Sequence, residues 1–471
     1  MRHFKRALAL AVGLILLAGI VLTLERARGD RLLDLAQERL RAANEPLRVS
    51  ELLPRTPQDN AAAALIAMTN RLGELPGRGT NAPTILEFVK PGEAKPIVRG
   101  GMNWAVLRAK FQEHLDVCAD LISISRKSGF NSGYEYQDGF RNIPMGPMLA
   151  AKSATRSLLW KGLSEFEAGR AGVGQKDICA ALRFVEMQRE PLIIFQLARI
   201  AEARLCFQAT WQAVQSGSLD EDGLRELQQA WGDMDFPGDM QRALEMERAV
   251  TLEEFDQSRA SSAKAWEALR QRQQTDELLS SSAQKLATGG AALRWINMPL
   301  WRFVWLPQDE LRDLQKWNEI IEVHRKAVAD SWASVAGAAP AQGSAKWADR
   351  FRFPISSGPF SVSSILTRNA LFAQTEQQMA IAAIAINRFR LRNGKLPQDL
   401  KELAPAYLNR MPRDFVGGGT LRFSVSGADF RLYSVGEDGQ DNGGDPALRE
   451  GEKEYSNIWK GRDAVWPKPA R

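Results

Sequence analysis

The longest uninterrupted hydrophobic stretch of the chain lies at its start. An uncharged run over residues 7–24 is long enough to cross most of a hydrocarbon core of roughly 30 Å as a helix. Basic residues flank this run on both sides, with Arg2, Lys5 and Arg6 before it and Arg26 and Arg28 after it. The pattern predicts a signal anchor over residues 1–24; a cleaved signal peptide is the alternative, although no convincing A-x-A cleavage site follows the run.

The basic residues at the start of the chain predict its orientation. They favour a cytoplasmic location for the N-terminal end, which places the rest of the chain beyond the membrane. In a bacterium, this arrangement corresponds to a single pass through the inner membrane with most of the chain in the periplasm. The cytoplasmic membrane, contacted through residues 7–24, is therefore the first expected partner.

Between residues 25 and 335 the hydrophobic positions recur at helical spacing, and we expect one helical periplasmic domain over this range. Residues 104–129 predict a helix with one apolar face, formed by Leu107, Phe111, Leu115, Cys118 and Ile122. Further helices are predicted over 148–167, 174–189 and 192–215, and the short breaks between them favour antiparallel hairpins. No fixed repeat period is present, so an irregular array of helical hairpins is expected instead of a solenoid.

The pattern changes after residue 335. Residues 336–348 are rich in Ala and Gly and are typical of a flexible linker, so a separate module is expected over 349–471. A long helix follows, with Met379, Ala382, Ile386 and Phe389 on one face and an end at Gly394. Alternating residues over 420–425 and 430–435, separated by Gly427, predict an antiparallel hairpin. The fold class is thus mainly α, ending in a small α+β module.

A tryptophan-rich segment over residues 293–306 allows two interpretations. Trp295, Trp301 and Trp305 stand near Arg294 and Arg302, a composition suited to a membrane interface. The segment is too short to span a bilayer, so it could at most lie on the surface. Burial of the indole rings in the protein core is the alternative.

Composition limits the chemistry that the chain can perform. It has 471 residues, with 62 basic and 56 acidic side chains spread along it, and this balance does not indicate nucleic-acid binding. Only His3, His114 and His324 are present, which excludes a histidine-rich zinc site and leaves few options for a Ser-His-Asp triad. Cys118, Cys179 and Cys206 are expected as buried thiols, although Cys179 and Cys206 could form a disulfide if their helices pack together.

An acidic, glycine-rich stretch follows the hairpin. Asp438, Asp441 and Asp445 lie within eight residues, interleaved with glycines. Calcium takes six to eight oxygen ligands from carboxylates and carbonyls, at about 2.4 Å, and glycines let a loop curl tightly enough to supply them. The spacing does not fit an EF-hand. The loop is either a calcium site or a solvated Asp/Gly turn.

The C-terminal segment, about 361–459, resembles the C-terminal module of type II secretion major pseudopilins. The resemblance rests on the helix end over residues 387–397, the two strands and the acidic loop over 433–445. It implies that the side chain of Asp438 binds calcium, that carbonyls of Val435, Glu437 and Gln440 contribute, and that Asp445 closes the site. The sequence departs from the pattern at Pro446, and Asn457-Ile458-Trp459 arrives after an inserted charged stretch.

The middle of the chain resembles uncharacterised membrane-anchored helical bacterial proteins. The matching motifs are Gly139-Phe140 at the end of a Tyr-containing loop, Glu167-Ala168-Gly169 and Glu190-Pro191. That family implies no activity. We therefore expect a membrane-anchored extracytoplasmic protein that serves assembly or interaction with unidentified protein partners and is not an enzyme. The alternative is a cell-envelope hydrolase that uses carboxylates of the helical domain.

Overall fold

The computed structural model describes residues 2–76, 85–96, 103–136, 143–279, 298–337, 347–357 and 363–470. The protein is mainly helical and carries a small antiparallel sheet near its C-terminus, which confirms the predicted fold class. The helices are α1 Arg2–Ala42, α2 Ala61–Ala67, α3 Thr69–Glu74, α4 Trp104–Gln112, α5 Leu115–Ile124, α6 Met145–Glu167, α7 Ala171–Met187, α8 Ile193–Gln215, α9 Glu221–Trp231, α10 Phe236–Ala260, α11 Ser262–Leu279, α12 Leu306–Ala329, α13 Trp347–Arg352 and α14 Ser363–Asn393. A π-helix, Trp301–Trp305, precedes α12, and single 3-10 turns lie at Val49–Glu51, Leu400–Leu403 and Ile458–Lys460.

Two three-stranded sheets complete the fold. The strands are β1 Leu86–Lys90, β2 Glu93–Pro96, β3 Arg422–Ser426, β4 Asp429–Ser434, β5 Ala464–Val465 and β6 Lys468–Pro469. The β3–β4 hairpin is antiparallel, as predicted, and β5 adds an antiparallel edge with Tyr433 opposite Val465. The β1–β2 hairpin corrects the expectation of helices alone before residue 335. The sequence analysis missed this hairpin because its short strands carry no strong alternating pattern.

Helix α1 is continuous from the apolar run into the body of the protein. Its N-terminal part is exposed and apolar, and Phe4–Ala42 contains a window of mean hydropathy 2.8 that is long and apolar enough to cross a membrane. The C-terminal part packs against α12, where Leu33 is buried with Leu47, Leu252 and Leu314. One rigid helix therefore joins the apolar segment to the folded body.

Helices α6 and α7 form one of the antiparallel hairpins that the sequence predicted, and α8 packs against both. The backbones of α6 and α7 approach closely, because a Cβ atom added to Gly162 would stand 2.8 Å from the carbonyl oxygen of Gly174. Only glycine allows the two backbones to come this near. The predicted helix over residues 104–129, however, divides into α4 and α5, and this break leaves Leu115 exposed while Leu121 is fully buried.

Helix α14 is buried on nearly all sides. The sequence predicted burial of a single apolar face, so the buried surface is larger than expected. It packs against α8, α9 and α10, and Ala380 and Ala383 are buried as fully as Met379 and Ile386. Small apolar residues on every face let neighbouring helices surround it. Residues on both sides of the expected linker thus share one hydrophobic core. Residues 338–346 of that linker lie outside the described residues, and the division into domains stays a prediction.

The end of the chain returns to the helical region. Strand β6 pairs in parallel with β2, and the indole N–H of Trp211 donates a 2.8 Å hydrogen bond to the carbonyl of Pro467. Trp466 packs edge-on against Phe207 of α8 with ring centroids 5.2 Å apart. These contacts fasten the C-terminal segment to α8.

The tryptophan-rich segment is only partly buried. Trp301 lies in the core and its indole N–H donates a 2.8 Å hydrogen bond to Asp309, as the burial alternative required. Trp305 is half-buried against Phe351, whereas Phe303 between them is exposed. Trp295 and Arg294 lie outside the described residues. All three cysteines are free and buried, so the bridge between Cys179 and Cys206 is absent.

Candidate functional site

The acidic loop, which ends at Asp445, directly follows β4 in the stretch between β4 and β5, at one end of the small C-terminal sheet. Its glycines adopt positive φ angles, as the predicted tight curl requires. At Gly436, with φ of +78°, an added Cβ atom would meet the carbonyl oxygen of Arg462 at 2.6 Å. The chain therefore passes directly over the residues that lead into β5.

Asp463, which the sequence analysis did not single out, organises the second half of this loop. Its buried carboxylate accepts hydrogen bonds from the backbone N–H groups of Gly444 at 2.7 Å, Asp445 at 3.0 Å and Asn442 at 3.3 Å. Burial raises the pKa of Asp463, and these N–H donors act in the opposite direction by stabilising the charged form. The loop thus turns backbone donors toward a carboxylate of the protein itself.

Asp414 likewise accepts backbone hydrogen bonds, at the start of the loop. It is fully buried and accepts hydrogen bonds from the N–H groups of Val416 and Gly417, both at 3.0 Å. It also accepts from the hydroxyl of Ser434 at 2.8 Å and from the N–H of Val435 at 3.2 Å. Burial raises the pKa of Asp414, and the donors around it partly offset that rise. This carboxylate ties the end of β4 to the chain that precedes β3.

Asp441 is held by the neighbouring strands. It accepts from the N–H of Gly443 at 2.9 Å and from the hydroxyl of Tyr433 at 3.0 Å, and it lies 3.4 Å from the guanidinium of Arg422. The Gly443 N–H is the largest of the influences that lower the pKa of Asp441. The carboxylate is therefore a hydrogen-bonded turn residue with a cation beside it.

The other two aspartates form separate turns. Asp438 is exposed and accepts from the N–H of Gln440 at 3.0 Å. Asp445 is half-buried, accepts from the N–H of Ala447 at 3.0 Å and pairs with Arg462 at 3.2 Å. Each carboxylate makes the local side-chain-to-backbone bond that aspartate commonly makes in turns.

The remaining candidate ligands also have partners. The carboxylate of Glu437 pairs with Arg449 at 2.5 Å and with Arg368 of α14 at 3.6 Å. The carbonyl of Gln440 accepts from the side chain of Asn442 at 3.1 Å, and the buried Val435 is held through its N–H by Asp414. Glu437 thus connects the loop to the long helix electrostatically.

The grouping of acidic side chains bears on metal binding by this loop. In the part of the chain that the structure describes, no three His, Cys, Asp or Glu side chains are grouped to hold a metal ion. Calcium binding by Asp438, Asp441 and Asp445, with Val435, Glu437 and Gln440, stays a prediction. An ion would compete with Arg462 for Asp445 and with Arg422 for Asp441.

The helical region contains buried carboxylates that bear on the hydrolase alternative. Glu202 of α8 is buried and accepts from Thr155 at 3.0 Å and from the amide of Gln188 at 2.9 Å. Burial raises its pKa to about 7, while these two donors lower it. These hydrogen bonds link α8 to α6 and to the end of α7, so Glu202 has a structural role.

Two further carboxylates are paired with buried cations. Arg199 bonds Asp239 at 2.6 Å and also donates to the carbonyl of Val185 at 2.7 Å. Lys161 and Asp177 form a 2.6 Å pair between α6 and α7, and burial raises the pKa of Asp177 to about 6. Breaking such a pair by removing one partner is costly, because the remaining charge has no counterion.

Glu253 and Glu254 are adjacent residues of α10. Glu253 accepts the N–H of Val49 at 3.0 Å. The pKa of Glu247 rises to about 8, because of burial first and the charge of Glu254 second. Both residues of this second pair belong to α10.

His324 is a core residue. Its Nε2 lies 2.9 Å from the carbonyl of Pro237, so this nitrogen carries the proton, and its Nδ1 lies 3.0 Å from the hydroxyl of Thr367. Burial lowers its pKa to about 4, which keeps the ring neutral. Both ring nitrogens are engaged in holding α12 against α10 and α14.

Comparison with protein-family models, with curated proteins and with solved structures finds no match to this chain.

Proposed function

We propose that this protein is a single-pass membrane protein whose extracytoplasmic body serves assembly or interaction, in association with a secretion-type machine. Its anchor is the apolar part of α1, set in the bacterial inner membrane, and its body lies in the periplasm. Its partners are proteins of the cell envelope, and nucleic acid is not among them.

The observation that carries this proposal is the continuity of α1. The apolar window is 0% buried, so no part of the described body covers it. A hydrogen bond joins α1 to the body directly after the apolar run, where the side chain of Gln308 donates to the Glu25 carbonyl at 2.6 Å. The apolar part of this helix is exposed, and the residues that follow it pack against the body. This combination suits a membrane anchor.

The C-terminal part supports a pseudopilin-like architecture. A long helix, a hairpin and a glycine-rich acidic loop follow one another in the expected order. In contrast with a pilin subunit, α14 is an internal helix enclosed by α8, α9 and α10. We propose that this part presents a surface for assembly, and that its loop binds calcium as a structural ion.

The carboxylates of the helical region favour interaction over hydrolysis. Glu202, Asp239 and Asp177 each hold neighbouring helices together through short hydrogen bonds. A general acid and base must instead reach a substrate and a water molecule.

Topology is tested by reporter fusions. Alkaline phosphatase joined after residue 30, and separately after residue 471, is expected to be active in both cases. A cytoplasmic signal from either fusion contradicts the proposed orientation.

A deletion strain tests the process. Without this protein, exported enzymes are expected to remain in the periplasm, and the intact chain should restore their release. A chain with Glu202→Gln should also restore it, whereas one without residues 2–24 should not. Unchanged release in the deletion strain contradicts a part in secretion. Failure of a folded Glu202→Gln protein alone would support the hydrolase.

A further inference from the structure

The π-helix Trp301–Trp305 lies beside the point where the apolar part of α1 ends. Arg26 donates hydrogen bonds through Nη1 to the carbonyls of Arg302 at 3.1 Å and Phe303 at 3.2 Å. Its Nε is held by Asp30 at 2.9 Å, one turn further along α1. Since Arg26 stands two residues beyond Leu24, this contact fixes the π-helix at the level where a membrane-spanning α1 leaves the hydrocarbon core.

Phe303 is exposed at that level. Its side chain is 62% exposed, although its neighbours Trp301 and Val304 are buried. The guanidinium of Arg302 lies 5.0 Å from the centre of its ring and donates to the carbonyl of Ser258 at 2.9 Å. These contacts hold the π-helix backbone in place, so Phe303 projects from a rigid support.

The surroundings of Phe303 have the composition of a membrane interface. Trp305 is half-buried, and Arg352 lies 5.7 Å from the centre of its ring. Aromatic rings favour the headgroup region, and arginine side chains extend toward phosphate. Arg28 is also exposed on α1 close by in sequence.

We propose that Phe303 inserts into the boundary between headgroups and acyl chains of the bilayer that α1 crosses. This inference rests on the proposed anchor and adds a second point of attachment. A single helix leaves the body free to tilt about the membrane normal, whereas a second contact limits that tilt. A protein partner for Phe303 would have to enter the headgroup layer, which makes lipid the occupant that the geometry favours.

The test uses the full chain in nanodiscs of phosphatidylethanolamine and phosphatidylglycerol. Phe303→Cys is labelled with a bimane fluorophore, and lipids carrying a nitroxide on the headgroup or deep in the acyl chain serve as quenchers. The native thiols should not react, because burial raises the pKa of Cys118 to about 11, that of Cys179 to about 12 and that of Cys206 as well.

Two control positions calibrate the result. Leu17→Cys reports the apolar part of α1, where the side chain is 57% exposed, and Val173→Cys reports α7, where it is 45% exposed. The label at position 303 is expected to lose most of its fluorescence with the headgroup quencher and less with the deep quencher. The label at 17 should respond most to the deep quencher, and the label at 173 to neither.

Each failure has a distinct signature. A quenched label at 17 with an unquenched label at 303 overturns the contact of Phe303 while leaving the anchor in place. An unquenched label at 17 overturns the anchor, and the inference about Phe303 falls with it. Circular dichroism of each labelled protein checks that the fold is retained.

Discussion

The carboxylate of Asp463 accepts a 2.7 Å hydrogen bond from the backbone N–H of Gly444, 19 residues earlier in the chain. Through this bond a buried residue outside the acidic loop holds the loop in its conformation. The exposed aspartates that mark the loop in the sequence contribute less to that conformation. The two classes of aspartate should therefore differ sharply in their contribution to stability.

We expect Asp463→Ala to lower the free energy of unfolding by about 3 kcal/mol, because the buried N–H of Gly444 and the partly buried bonds from Asp445 and Asn442 lose their acceptor. Asp438→Ala, at an exposed position with one local hydrogen bond, should change it by about 0.5 kcal/mol or less. Chemical unfolding in detergent measures both. Equal losses in the two variants would show that Asp463 does not organise the loop.

Calcium binding is tested on the full chain, since α14 shares its core with the helical region. If the loop binds the ion, millimolar calcium should raise the melting temperature relative to chelator by mass action. Magnesium should substitute poorly, because it resists the irregular coordination that such a loop offers.

Asp438→Ala should abolish the calcium response, and Asp429→Ala, at another aspartate on the same sheet, should leave it intact. Identical melting curves for the unmodified protein with calcium and with chelator would leave the loop as a hydrogen-bonded turn.

Glu202 should make stability depend on pH. Its pKa is raised to about 7 in the folded protein from 4.5, so between these values the folded state binds more protons than the unfolded state. Its contribution to the free energy of unfolding therefore falls as pH rises from 4.5 to 7 and is level above that. The fall amounts to about 3 kcal/mol.

Glu202→Gln should remove this dependence while keeping an acceptor for Thr155 and Gln188. The variant is expected to match the unmodified protein near pH 4.5 and to exceed its stability near pH 8. Glu186→Gln, at a partly exposed site on α7, is the control and should change little at either pH. A Glu202→Gln variant less stable than the original at pH 8 would contradict the raised pKa.

The enclosure of α14 is tested by two isoleucines on the same helix. Ile384 is fully buried and Ile365 is 43% exposed. Ile384→Ala should cost about 2–5 kcal/mol, because it removes buried contacts and leaves a cavity. Ile365→Ala should cost about 1 kcal/mol or less. Similar losses at both positions would contradict the enclosure of Ile384 in the core.

Local patterns in the sequence were sufficient to predict several elements. The apolar run predicted the exposed N-terminal part of α1, and the residues around Gly427 predicted the β3–β4 hairpin. Both are encoded by neighbouring residues, since an uninterrupted apolar run and an alternation around a turn require no distant partner. The aspartates with local turn bonds, such as Asp438, were visible for the same reason.

Contacts between distant residues decided the rest. Nothing near Asp414 or Asp463 distinguishes them from solvated aspartates, and their roles arise because folding buries them beside N–H groups of other segments. The pairing of β6 with β2 depends likewise on two strands that lie far apart in the chain. The sequence by itself determined where the apolar part of α1, the α6–α7 hairpin, the start of α8 and the β3–β4 hairpin form. Tertiary structure decided which polar groups are buried, because a buried carboxylate must find its donors wherever the packed chain supplies them.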